Sequence, residues 1–84
     1  MVTVKLFGTL RLDTGVKELM CEAESIRRLY PLVAEEIRRS RHDSTIDEKT
    51  LRSCLVAVNG RQVSPRTLLH DGDVVYLFPA AAGG

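Results

Sequence analysis

The residues of this chain that could do chemistry are few, and the sharpest of them have no side chains. Gly83-Gly84 follow the strand-like run Val74-Val75-Tyr76-Leu77-Phe78 and the slim lead Pro79-Ala80-Ala81-Ala82. Such a pair is expected to present an α-carboxylate on a thin stalk. Backbone without Cβ atoms can enter a channel that any side chain would block. Extended, Pro79 to Gly84 would span at most about 20 Å. Gly84 is therefore the candidate reacting residue, with Gly83 and Ala82 the part of the tail that enters a partner's active site. A carboxylate is a poor electrophile, because charge and resonance resist attack, so it needs activation before it can transfer anything. The chain has no G-x-x-x-x-G-K-[ST] phosphate loop and no conventional nucleophile–base pair to supply that activation.

The remaining reactive types read as structural. His42-Asp43 and His70-Asp71 are adjacent pairs in polar loops, without a nucleophile or further ligands, and solvated turn residues fit them better than catalysis. Cys21 and Cys54 lie far apart, without C-x-x-C spacing or a nearby His, so a metal site is not expected. Each falls in a strand-like run and is read as a small buried hydrophobe. Arg27, Arg28, Arg38, Arg39 and Arg41 fall mainly on the outer side and end of a helix, where a solvated face is the expected role.

Eighty-four residues allow one domain with one modest core. A net charge of +1 gives no general drive toward nucleic acid. No apolar run reaches membrane-spanning length, and Met1-Val2-Thr3-Val4-Lys5 reads as a strand, not as a signal sequence. The expectation is a cytoplasmic protein with neither nucleic acid nor membrane as partner.

The elements that must position the tail follow from hydrophobic period. Val2, Val4 and Leu6 alternate with Thr3, Lys5 and Phe7, a half-buried strand. Gly8-Thr9 and Asp13-Thr14-Gly15 punctuate the stretch before Leu19, Cys21 and Ala23, read as the return strand of a hairpin. From Ser25, a plausible N-cap, the period becomes helical through Ile26, Leu29, Tyr30, Val33 and Ile37. Pro31 predicts either a kink or a loose first turn with the regular helix starting near it. His42 to Ser53 reads as a loop with one short turn, Thr45 and Glu48 having capping-box spacing. Leu55 to Val58 is a third strand closed by Asn59-Gly60, and Asp71-Gly72-Asp73 launches the last strand. The order β-β-α-β-β predicts an α+β domain, residues 1–78, with one main helix across a mixed sheet and a flexible tail, residues 79–84.

The pleat also predicts a docking surface. With Val2, Val4 and Leu6 facing the helix, Phe7 leaves the first strand on the open face, and Phe78 leaves the last strand on that face with Tyr76. Phe7 and Phe78 are expected to form an apolar partner-docking patch beside the tail. The alternative tucks them under a loop such as Gln62-Val63-Ser64.

The ordered set Leu6-Phe7-Gly8, Val58-Asn59-Gly60, Asp71-Gly72-Asp73-Val74-Val75, Phe78-Pro79 and Gly83-Gly84 resembles the MoaD/ThiS family of sulfur carriers over nearly the whole chain. The resemblance implies a ubiquitin-like β-grasp fold. It implies that an E1-like enzyme adenylates Gly84 and that sulfur then replaces one oxygen to give a thiocarboxylate. ATP and magnesium would be used by that activating partner, and this chain itself would bind no cofactor and catalyse nothing. Length and the long helix-plus-loop look most like the small subunit of molybdopterin synthase, whose partner is the MoaE-like large subunit. Tails of that type often carry a second proline and a valine where this chain has Ala80 and Ala81. Sulfur delivery to a thiazole precursor or another acceptor, protein modification through Gly84, and an interaction module whose tail does no chemistry are the other readings left open.

Overall fold

The computed structural model describes residues 1–80. The chain runs β1 (Val2–Leu6), α1 (Gly8–Thr14), β2 (Glu18–Cys21), α2 (Ile26–Ser40), α3 (Glu48–Arg52), β3 (Leu55–Val58), β4 (Arg61–Gln62) and β5 (Val74–Phe78). The five strands form one mixed sheet in the order β2-β1-β5-β3-β4. The central pair, β1 and β5, is parallel, and every other pair is antiparallel.

Register divides the side chains cleanly. Val4 lies beside Val75, and Leu6 and Val56 flank Leu77. All five are buried, on the face covered by α2. The helix supplies Ile26, Leu29, Tyr30, Val33, Ala34 and Ile37, one stripe at three- and four-residue spacing. Leu10 from α1, Leu51 from α3 and Leu69 from the loop before β5 complete the core. Truncating a fully buried member such as Leu29 to Ala costs about 2–5 kcal/mol in comparable cores. Val58 is half-buried, because it ends β3 and packs only against the core's margin.

The α2 helix begins at Ile26, so Pro31 lies inside it and does not start it. Its first turn is held from outside. The Ile26 and Arg27 N–H groups donate to the Thr67 and Pro65 carbonyls, and the Arg28 N–H donates to Ser25 Oγ at 3.3 Å. That accounts for donors which otherwise have no partner at a helix start.

Two short helices occupy segments read as turn and loop. In α1, Gly15 closes the helix in the left-handed region at φ 70°, and its N–H donates to the Arg11 carbonyl. Buried Thr14 donates from Oγ to the Leu10 carbonyl at 2.7 Å and accepts from the Val16 N–H at 3.0 Å. The cap of α3 is Asp47, not Thr45. Its Oδ1 accepts from both the N–H and the hydroxyl of Thr50, at 2.9 and 2.8 Å. Those bonds hold the Asp47 carboxyl below its usual range.

Candidate functional site

On the sheet face away from α2, the backbone register gathers the residues that alternate with the core. Lys5 and Ala57 flank Tyr76, and Leu55 lies beside Phe78. Phe7 follows β1 on the same side, and its N–H donates to the Leu77 carbonyl at 3.2 Å. The three aromatic rings stack into a platform. Phe7 lies 4.7 Å from Phe78 with planes 14° apart, and 5.8 Å from Tyr76. Phe78 remains 38% exposed and Leu55 50% exposed, while Phe7 and Tyr76 are half-buried. The patch is formed by the predicted pair, extended by Tyr76 and Leu55. It does not lie beneath Gln62-Val63-Ser64.

Along one edge the platform meets a cleft of about 160 Å³ between β1 and α1, lined by Lys5, Phe7, Arg11, Lys17, Glu18 and Tyr76. Three cations against one carboxylate make that rim electropositive, and the aromatic rings give it an apolar wall. Sequence reasoning missed this rim, because Arg11 reaches it only through α1.

The platform sits where β5 ends. Pro79 follows Phe78 and packs on Gly8, so the chain leaves the sheet beside the rings. Gly84, Gly83 and Ala82, the predicted reacting and channel-entering residues, lie outside the described residues.

The other reactive types are not assembled into a site. His42, Asp43, His70 and Asp71 are exposed. Asp43 lies 3.6 Å from the Arg41 guanidinium, and His70 uses its backbone N–H to donate to Asp73 at 2.8 Å. Among the described residues no group of three or more His, Cys, Asp or Glu could hold a metal. Cys21 and Cys54 are both free and buried, and burial pushes both thiols up, away from the thiolate form. Cys21 ends β2 as expected, whereas Cys54 lies in the turn ahead of β3, where its Sγ donates to the Thr50 carbonyl. The helix arginines are exposed, and Arg39 is occupied by Glu35 and Glu36. No described helix is long and apolar enough to cross a membrane.

The chain as a whole has counterparts among known proteins. The ThiS family matches residues 4–84, nearly the whole chain and through the diglycine. The chain belongs to the ThiS family. That places it in a family of ubiquitin-like sulfur carriers and modifiers with the β-grasp fold. No curated protein sequence matches this ThiS-family chain. Among solved structures it is similar to small archaeal modifier protein 1 from Methanosarcina acetivorans, at 26% identity and a TM-score of 0.74, covering 99% of this chain and 95% of the other. It is also similar to a Pyrococcus furiosus chain described as molybdopterin converting factor subunit 1, at 34% identity and a TM-score of 0.62, covering 95% and 97%. A third is the complex of subunits 1 and 2 of molybdopterin-converting factor from Helicobacter pylori, at 25% identity and a TM-score of 0.61, covering 99% and 97%.

Proposed function

We propose that this ThiS-family chain carries sulfur on the carboxylate of Gly84 and delivers it most directly to molybdopterin synthesis. In this reading an E1-like partner, using ATP and magnesium, adenylates the Gly84 carboxylate with loss of pyrophosphate. Hydrosulfide released by a sulfur donor then attacks the carbonyl carbon, AMP departs, and a thiocarboxylate remains. This chain contributes no catalytic group to either step. Its own work is to dock and to present the tail.

The observation that carries the reading is the Phe7–Tyr76–Phe78 platform at the end of β5. It places exposed apolar surface beside the root of the stretch that the family match extends through. A partner gripping these rings would hold the globular body outside its active site while residues 82–84 enter. Aromatic side chains are enriched at the centre of such interfaces. The cationic rim of Lys5, Arg11 and Lys17 would favour acidic residues at the edge of the partner's surface. The two molybdopterin converting factor relatives support the choice of acceptor, one of them solved with its second subunit.

A second reading, conjugation of Gly84 to protein lysines, is favoured by the likeness to small archaeal modifier protein 1. Intact mass of the protein from its native host separates the two. Replacement of one oxygen by sulfur marks the carrier, whereas heavier species bearing a lysine-linked tail mark the modifier. The carrier reading itself is tested with the cognate activating enzyme, ATP and a sulfur donor. Thiocarboxylate should form on the intact chain and not after deletion of Gly84. Sulfur transfer by the truncated chain would remove Gly84 as the carrier.

A further inference from the structure

We propose that Gly8 is a positioning residue that aims the tail, and this rests on the sulfur-carrier reading above. Gly8 adopts φ +59°, in the left-handed region. A Cβ at this position would lie 3.0 Å from Pro79 Cγ and 3.3 Å from Pro79 Cδ. Any other residue at position 8 would thus press its Cβ on the proline ring and push it aside by a few tenths of an ångström, on top of the strain of the left-handed backbone. Two neighbouring contacts hold the same exit. The Phe7 N–H donates to the Leu77 carbonyl at 3.2 Å, and the Phe7 ring stacks on Phe78 at 4.7 Å.

Residues 7 and 8 thus contact residues 77, 78 and 79 in turn, by hydrogen bond, ring stack and van der Waals packing. This clasp fixes the direction in which the chain leaves the sheet. Pro79 strengthens it, since its ring fixes φ. Docking uses the rings, whereas aiming uses Gly8, so the two can be separated by mutation. Gly72 provides an internal control. It adopts φ +91°, but a Cβ there would meet nothing within 4 Å. A substitution at Gly72 brings backbone strain without contact with the tail.

The experiment measures ATP–pyrophosphate exchange by the cognate E1-like enzyme on the full chain, together with affinity and thermal melt. Gly8→Ala should lower turnover by about tenfold to a hundredfold, the scale of a misplaced reacting group, while affinity stays near wild type. Gly8→Asn repeats the test with a residue that tolerates the left-handed region but still carries a Cβ, which covers the case in which Gly8→Ala fails to fold. Gly72→Ala should lose stability yet keep wild-type turnover. Wild-type turnover in Gly8→Asn, or an equal loss in Gly72→Ala, overturns the positioning role and leaves the carrier reading intact. A wild-type chain that the enzyme does not activate at all overturns the carrier reading and, with it, this inference.

Discussion

Phe7 and Phe78 stabilise the fold and offer surface at once, and their exposures set how far the two roles separate. Their separation of 4.7 Å lies in the range of an offset stack, worth about 0.5–1.5 kcal/mol. Phe78→Lys removes the stack and the more exposed of the two rings. Affinity for the activating enzyme should fall about thirtyfold, equivalent to about 2 kcal/mol at an interface anchor. The melt should fall by no more than about 8 °C, since about 1 kcal/mol is lost from a domain this size. Phe7→Asp should cost more stability, because Phe7 is half-buried and stacks on both other rings. Unchanged affinity in Phe78→Lys would remove the platform from docking. Asp73 governs a different property at the opposite end of β5. Its carboxylate accepts from the His70 N–H at 2.8 Å and from the Asn59 side-chain amide at 3.0 Å, and these bonds hold its carboxyl below the usual range. Its contribution to stability is therefore complete above the unfolded value, about 3.9, and is lost as pH falls through the lower folded value. Asp73→Asn should lower stability at neutral pH and flatten the fall below about pH 4. Denaturant midpoints at pH 7 and pH 3 read this, and an equally steep acid fall in the variant would count against it.

The α2 helix carries a proline that its packing tolerates. Pro31 is exposed, and it can donate no hydrogen bond to the Arg27 carbonyl one turn back. A helix-interior proline costs about 3 kcal/mol relative to Ala, and replacing it returns about 1 kcal/mol of unfolded-chain entropy. Pro31→Ala should thus stabilise by about 2 kcal/mol, raising the melt by about 8–16 °C. A melt that stays or falls would mean that the proline geometry is needed for the contacts of Ile26 and Arg27 with residues 65–67. The same helix explains what the sequence made legible. Its stripe from Ile26 to Ile37 and the alternation in β1 are read directly, because each element has one buried and one exposed face, whereas β3 and β5 are apolar throughout and only their runs and turns are legible. The α1 helix has seven residues and buries only Leu10 and Thr14, too few to impose a period. In α3 the cap is Asp47 in place of Thr45, because the ionised carboxylate accepts two bonds from Thr50. The clasp of Gly8 on Pro79 joins residues from opposite ends of the chain, a contact that no local pattern reports. The open-face aromatics were legible from the pleat alone, whereas the cationic rim required α1.

At the scale of the whole molecule, the core and the proposed chemistry occupy different regions. The buried core lies between Val2 and Leu77, on the side of the sheet covered by α2. The surface proposed for docking lies on the other side, and the proposed reacting residue lies beyond Pro79. The proposed carrier role fits this division, because the residue proposed to react is not among those that build the described core. The boundary should fall at the clasp, and two truncations locate it. Removing residues 81–84 should leave the melt within about 2 °C of wild type, since no residue of the described core is removed, yet abolish activation. Removing residues 79–84 also takes away the ring that packs on Gly8, and the melt should fall measurably further. A large loss of stability in the shorter truncation would show that the last four residues contribute to the fold, and body and tail could no longer be treated as separate parts.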